Sequence, residues 1–534
     1  MSFHPAFLSI TKQRFLRIGF TSLLLLIHAL PGRSQGLDDR INDSFMPVAQ
    51  WWENFVFTEI PIGGLGVPIV LILLLFGALF FTVYFGFVNI RRFPLAIRVV
   101  RGKYDAVELA ESEDELHQAG QHGEVNHFQA LATAVSGTVG LGNIAMVAVA
   151  ISIGGPGATF WMIVAGLLGM SSKFVECTLG VKYRDIDPAG QVYGGPMYYL
   201  SKGLKEIGQD RLGRFLSVLF AIMCIGASFG GGNAFQSNQA AAQIVERFGL
   251  EGAASGSLLG ILFAVLVGIV IIGGIKRIAR VTEKIVPFMA LLYVLGAGFI
   301  ICSHFTLIDD AIGQILAEAF TPRATITGGF IGVMIQGFRR AAFSNEAGAG
   351  SAAIAHSAVN TRYPASEGLV GLLEPFIDTV VVCTMTALVI ILFNMDGTVI
   401  YGDVVNNEVA LSVGDGRIGG VNLTSMAFET AIPGSSYMLA LAVVLFAFST
   451  MLSWSYYGLQ AWKYLFGRSN LSDLLYKVIF LLFTVLGAAV TMDAVIKFSD
   501  AMILALVFPN MIGLLLLFPK VREELGRYLK AIGY

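Results

Sequence analysis

Ser136-Gly-Thr-Val-Gly-Leu-Gly-Asn143 and Phe343-Ser-Asn-Glu-Ala-Gly-Ala-Gly-Ser351 each interrupt an apolar run long enough to cross a bilayer. Glycine is poor in a helix interior because its backbone has the most freedom to lose. In lipid, unpaired backbone groups are tolerated only where they line a cavity or are buried in protein. The two stretches are therefore read as broken spans at the centre of an all-α polytopic membrane protein.

Composition agrees with that class. Hydrophobic residues make up 55% of the chain and charged residues 13%. Mean hydropathy is +0.72, whereas a soluble domain carries about a quarter charged residues. The cysteines (Cys177, Cys224, Cys302, Cys383) are scattered through apolar segments with no CxxC or Cys/His cluster. They read as small buried hydrophobes, not as a disulfide framework or a zinc site. At the N-terminus, Lys12, Arg14 and Arg17 precede an apolar run over 18–30 and then Pro31-Gly-Arg-Ser-Gln-Gly36. Residues 1–35 read as a secretory signal, either cleaved between about 34 and 37 or kept as an anchor. Residues 36–62 follow as a periplasmic segment, 63–519 as the transmembrane domain, and 520–534 as a cytoplasmic tail.

A span needs about 20 apolar residues. About eleven candidates follow the signal: 64–88, 128–153, 159–181, 212–242, 257–274, 285–304, 326–355, 368–393, 435–465, 474–490 and 499–518. Basic loops carry Arg91, Arg92, Arg98, Arg101 and Lys103; Lys276, Arg277, Arg280 and Lys284; Lys463 and Arg468; and Lys520, Arg522, Arg527 and Lys530. The alternate loops hold the isolated cations Arg247, Arg323, Arg417 and Lys497. The positive-inside bias makes the first set cytoplasmic. The mature N-terminus is then periplasmic, the C-terminus cytoplasmic, and the location the cell inner membrane. The acidic stretch 105–121 reads as a cytoplasmic linker. The stretch 394–434 reads as a long outside loop with a short helix near 423–430, acting either as a lid or as a plain connector.

The last ten spans divide into two fives, about 128–304 and about 326–518, with one extra helix in front. Gly140-Leu-Gly-Asn-Ile-Ala145 aligns with Gly348-Ala-Gly-Ser-Ala-Ala353. The stretch from Gly166 to Cys177 aligns with that from Gly368 to Thr379, matching glycines, Phe174 with Phe376, and Glu176 with Asp378. Because five is odd, the second copy enters the membrane from the opposite side. An inverted repeat with a broken helix in each half points to a secondary transporter with its site at the repeat interface.

Half-helix ends set the chemistry. N-terminal ends offer free N–H groups suited to a carboxylate, and C-terminal ends offer carbonyls suited to Na⁺ or an ammonium. A small neutral amino acid matches both. The amides around Gly140, Leu141 and Gly142 are assigned the carboxylate, and the side near Ser344 and Gly348 the amine. Packing glycines that let helices approach are the alternative. Thr138 and Asn143 offer oxygens to Na⁺, and Ser449 and Thr450 either complete a cation site or bond their own helix carbonyls. Gln236, with Asn233 and Gln243 near one face, serves either the pocket or an interhelical contact. Trp454 reads as a pocket cap or an interface aromatic. Lys173 and Glu176 are expected to pair. Glu346 is expected to orient the second break or to offset Arg339 and Arg340.

Gly154-Gly-Pro-Gly-Ala-Thr-Phe-Trp-Met162 with Gly166-Leu-Leu-Gly169, Phe343-Ser-Asn-Glu-Ala-Gly348 and Ser453-Trp-Ser-Tyr-Tyr-Gly458 resemble the alanine (or glycine):cation symporter family. Ile163 stands where that family usually has an aromatic. The likeness runs from about Phe45 to Tyr528. It implies a leucine-transporter-type fold and Na⁺-coupled uptake of small amino acids such as alanine or glycine. Val139-Gly-Leu-Gly-Asn143 also resembles the first broken helix of the neurotransmitter:sodium symporters. That resemblance implies one sodium facing the carbonyls of Ser136 and Val139 with Ser449 and Thr450. It implies a second sodium facing Asn143 and the Thr138 carbonyl. Proton coupling in place of sodium is the alternative. No HExxH, paired-aspartate or Walker motif appears, so an enzyme or an ATP-driven pump is disfavoured; a channel is the other rival, separated by saturable, sodium-gradient-dependent uptake. The expected partners are the amino acid, Na⁺ as the co-transported ion, and the bilayer. No other cofactor, no nucleic acid and no obligate protein partner is expected.

Overall fold

The computed structural model describes residues 37–62, 65–109, 123–250, 252, 254–323, 326 and 328–534. The signal-like segment and most of the 105–121 linker lie outside the described residues. Helix α1 (Leu37–Val56) and the hairpin β1 (Glu59–Ile62) and β2 (Leu65–Pro68) lead into α2 (Ile69–Tyr84), and the one-turn α3 (Asp105–Glu108) follows. The first repeat holds α4 (His127–Thr138), α5 (Ala145–Gly154), α6 (Gly157–Lys182), α7 (Asp210–Phe229), α8 (Phe235–Phe248), α9 (Ser255–Ile271) and α10 (Gly274–Ser303). A hairpin of β3 (Asp185–Ile186) and β4 (Val192–Tyr193) follows α6. The second repeat holds α11 (Gly329–Asn345), α12 (Ala352–His356), α13 (Pro364–Gly371) and α14 (Thr384–Phe393). After an insertion come α16 (Ser435–Phe466), α17 (Asn470–Ala489), α18 (Met492–Ala505) and α19 (Val507–Ala531). The insertion is a three-stranded antiparallel sheet, β5 (Val399–Val405), β6 (Glu408–Leu411) and β7 (Arg417–Gly419), with α15 (Gly420–Ala431).

Among the described residues, seven helices are long and apolar enough to span, and α4 with Leu141–Gly154, bent by 54°, adds an eighth if taken as one. Helices α2 and α9 are apolar but shorter. At 326–355 the chain is a helix, a break and a five-residue helix, α11 and α12, not one span.

Small residues fix how the repeats meet. A Cβ on Gly166 would lie 3.0 Å from Thr379, and one on Gly371 2.9 Å from Cys177. One on Gly368 would overlap Thr178. Residue numbers rise along α6 as they fall along the 364–379 segment, so the two run antiparallel. Close approach of this kind is what small residues permit between membrane helices. It is also the relation an inverted repeat requires.

The breaks arise locally. Asn126 caps α4 in a capping box with Gln129. At the far end Val139 (φ −74°, ψ 83°) leaves the helix and Gly140 is extended. In the second break Glu346, Gly348 and Gly350 have φ of 54°, 92° and 85°. Left-handed backbone is cheap for glycine and costly for a side chain such as Glu346. Two π-helical stretches, Gly230–Ala234 before α8 and Phe376–Cys383 before α14, widen the helices facing the breaks.

Several expectations are corrected. Lys173 does not pair with Glu176; its Nζ lies 3.2 Å from Glu374. Glu346 does not offset the arginines. Arg340 and Arg339 lie 2.8 Å and 2.9 Å from Asp500, and Arg339 lies 2.8 Å from Glu53. Cys302 is exposed on the outside of the bundle, unlike the other three cysteines. The start of the 105–121 stretch is no free linker, because Glu108 is buried. It accepts from Tyr528 at 2.7 Å and from Thr361 and Ser366 at 2.7 Å and 2.9 Å, and it meets His127 at 2.7 Å. Burial alone would push the Glu108 carboxyl up, but hydrogen bonding and charge from His127, with the Tyr528 and Thr361 hydroxyls, hold it below the ordinary carboxylate range.

Candidate functional site

At the first break the α-helical ladder ends at Val139, and the Gly140 amide turns back to the Thr138 carbonyl at 2.8 Å. The Gly140 and Leu141 amides also take side-chain oxygens. The Gly140 amide donates to Asn143 Oδ1 at 2.9 Å, and the Leu141 amide donates to Gln236 Oε1 at 3.0 Å. Gln236 sits in the first turn of α8 and donates to the Gly231 carbonyl at 2.9 Å. Two neighbouring amides are thus met by neutral side-chain acceptors.

Helix α16 closes the other side of the break. Thr450 Oγ1 donates to the Ser136 carbonyl at 3.0 Å. Ser136 Oγ donates to the Ser449 carbonyl at 2.8 Å. The Ser449 hydroxyl donates to the Phe446 carbonyl of its own helix and to Met289 Sδ on α10, so Thr450 is the hydroxyl turned to the break. Space is tight here, since a Cβ on Gly140 would lie 2.4 Å from Thr450 Oγ1. A Cβ on Gly142 would come no closer than 3.5 Å to Phe343 and Ser344. Thr138 bonds within α4, its hydroxyl 3.3 Å from the Ala134 carbonyl. Val139 donates back to Val135, leaving its own carbonyl beyond the last helical turn.

Asp378 ties the two breaks together. Its carboxylate accepts from Asn143 Nδ2 at 2.7 Å, Ser344 Oγ at 2.9 Å and Thr379 Oγ1 at 2.7 Å. Asn143 therefore spends its oxygen on Gly140 and its amide hydrogens on Asp378. All these side chains are buried. Asp378 was visible in the sequence only as the acid matching Glu176 in the repeat, and that offset was the signal to follow.

The second break is held differently. Trp454 Nε1 donates to Glu346 at 3.1 Å, and Ser351 Oγ donates to the other carboxylate oxygen. Asn510 Nδ2 bridges the Gly348 carbonyl and Glu176, each at 2.9 Å. Glu176 thus reaches the second break through Asn510, as Asp378 reaches the first through Asn143. Of the residues singled out in the sequence, the structure groups Ser136, Val139, Gly140, Leu141, Gly142, Asn143, Gln236, Ser344 and Thr450 around the first break. Ser449 is adjacent with its hydroxyl turned away. Gly348 and Trp454 belong to the second break, with Gly348 against Leu74 and Met511 of the outer helices. Asn233 and Gln243 make interhelical bonds, to the Phe480 carbonyl and to Ser425.

From the second break toward the basic-loop face runs a buried ionic chain. Lys173 meets Glu374, Glu374 lies 3.6 Å from His356, His356 lies 2.5 Å from Glu367, and Glu367 meets His127. Lysine and histidine alternate with glutamate along it, so each buried carboxylate faces a basic side chain.

Residues 55–533 match the model of the sodium:alanine symporter family. The sodium/alanine symporter AgcS of Methanococcus maripaludis is 39% identical over 458 residues, covering 86% of this chain and 93% of that one. The probable sodium/glutamine symporter GlnT of Bacillus subtilis is 31% identical over 462 residues, covering 86% and 87%. Among solved structures, MhsT in complex with L-phenylalanine aligns over 75% of this chain and 99% of that one, at 16% identity and a TM-score of 0.48.

Proposed function

Because the chain belongs to the sodium:alanine symporter family, we propose that this multi-pass membrane protein imports alanine, and possible analogues as small as glycine, on a site built from the first break. One observation carries the site: adjacent amides at Gly140 and Leu141, held by replaceable side-chain oxygens, beside a carbonyl held by the Thr450 hydroxyl. The substrate carboxylate displaces Gln236 Oε1 and Asn143 Oδ1 and takes the two amides, where the helix end favours negative charge. The ammonium faces the Ser344 side. One Na⁺ sits between the Thr450 hydroxyl oxygen and the Ser136 and Val139 carbonyls, the hydroxyl turning its proton away from Ser136, and Ser449 joins the oxygen shell by rotating its side chain from Phe446 and Met289. The freed Asn143 oxygen and the Thr138 carbonyl serve a second Na⁺ beside the carboxylate. Closure of the Asp378 cluster over Asn143 and Ser344 couples the two repeats to occupancy.

The protein lies in the cell inner membrane with its mature N-terminus periplasmic and its C-terminus cytoplasmic, and it needs no cofactor beyond the co-transported Na⁺. Radiolabelled alanine uptake into proteoliposomes tests the reading, with choline replacing Na⁺ and a panel of amino-acid competitors. Uptake should be saturable and Na⁺-dependent, and amines lacking a carboxylate should not compete. Full uptake without Na⁺ under a proton gradient would replace the ion, and competition by a decarboxylated amine would remove the carboxylate assignment.

A further inference from the structure

A cavity of about 480 Å³ lies away from both breaks, between the α9–α10 turn, α16, α17 and the β3–β4 hairpin. Its lining is cationic. Lys463 is matched by Asp473 at 3.0 Å, which leaves Arg468 and Lys477 without an ion pair within 4.0 Å among the described residues. Arg468 is held flat over the Tyr193 ring at 3.6 Å. Lys477 stands seven residues into α17, roughly 10 Å along its axis. A lysine at that depth in a span is costly unless an anion or water meets it. Deeper in the cavity the Tyr456 hydroxyl and the Gln460 amide oxygen, one turn apart on α16, are buried, and among the described residues neither has a well-formed hydrogen bond. Around the mouth, Ile272, Leu471 and Leu474 are exposed apolar side chains.

We propose that this cavity binds the headgroup of an anionic phospholipid. The phosphate takes Arg468 and Lys477. Glycerol hydroxyls of the headgroup pair with Tyr456 and Gln460, and the acyl chains lie along Ile272, Leu471 and Leu474. Basic pockets between spans at a membrane face take headgroups in this way. A zwitterionic lipid fits less well, because its own ammonium needs an acid and the lining acid, Asp473, is already engaged by Lys463. The inference depends on insertion in a bilayer and not on which solute the carrier moves.

The test is native mass spectrometry of the full chain in detergent, titrated with dioleoylphosphatidylglycerol or dioleoylphosphatidylcholine. Phosphatidylglycerol should be retained as one adduct at concentrations where phosphatidylcholine is not. The Arg468→Ala/Lys477→Ala variant should lose about thirtyfold in affinity, the effect of two cations near a headgroup. Lys103→Ala, in a different basic loop, should lose none. If the double variant does not fold, the wild-type protein still decides: several-fold higher salt should weaken phosphatidylglycerol retention. Equal retention of both lipids, undiminished binding by a folded double variant, or salt-independent binding overturns the proposal. Displacement of the lipid by equimolar inorganic phosphate also overturns it, since the site would then be a plain anion site.

Discussion

Thr450 and Asn143 each hold one backbone group of the first break in place, and their loss should be told apart by what it spares. Thr450→Ala removes an oxygen from the proposed sodium position without touching the amides, so the Na⁺ concentration for half-maximal uptake should rise by about tenfold, of the order of one charge-assisted bond. Amino-acid selectivity should not change. Asn143→Ala removes the oxygen on Gly140 and the donor to Asp378 together, so both Na⁺ and alanine affinities should fall. Alanine uptake against Na⁺ concentration in liposomes reads both. Glycines at the break make a sharper contrast. Gly140→Ala places a methyl 2.4 Å from Thr450 Oγ1, while Gly142→Ala finds 3.5 Å of clearance. The first should abolish uptake and the second keep most of it, measured against the amount of protein reaching the membrane. At this scale the sequence was informative where backbone breaks carry the site, because glycine runs show in one dimension. Asp378 was not legible as a hub, because an acid's role depends on donors that arrive from two other spans.

At the scale of elements, the stretch before α4 is a docked one. Glu108 fastens α3 to α19 through Tyr528 and to the first turn of α4 through His127. Its carboxyl is held below the ordinary value of 4.5. A group depressed in the folded state adds stability that is present above its unfolded pKa and lost as pH falls through its folded one. Wild type should therefore be more thermostable than Glu108→Gln near neutrality, and the gap should narrow as the pH is lowered below about 4.5. Thermal unfolding in detergent across that range checks it, and a constant gap would mean the anion is not what stabilises the joint. Residues 105–108 looked like linker because they are polar, and polarity alone does not reveal a burial built by buried partners. The sheet β5–β7 was missed for a similar reason, since its strands are short and sit among turn residues. Helix α15 was legible near 423–430 from its apolar spacing.

For the whole molecule, length and apolarity marked a polytopic helical chain, but of about eleven expected spans seven, or eight with the bent pair, are long and apolar enough among the described residues; the antiparallel packing of α6 against the 364–379 segment agrees with the inverted alignment read from Gly166 and Gly368. What sequence length could not reveal is that α1 joins the bundle. Asn42 accepts from Thr491 at 2.8 Å, Phe45 meets Phe498 edge-on at 5.0 Å, and Glu53 pairs with Arg339. Orientation is testable through exposed positions. With the exposed Cys302 replaced by serine, a cysteine at Asp415 in the β6–β7 turn should be labelled from outside intact cells, and one at Arg277 should not. Labelling of position 277 from outside would invert the whole arrangement. Gln236 and Asn143 already hold the Leu141 and Gly140 amides with oxygens. On the proposed site, capture would then exchange one set of bonds for another, and release would exchange them back. A carrier built that way should favour rapid turnover over tight retention: a ferry that docks as easily as it departs.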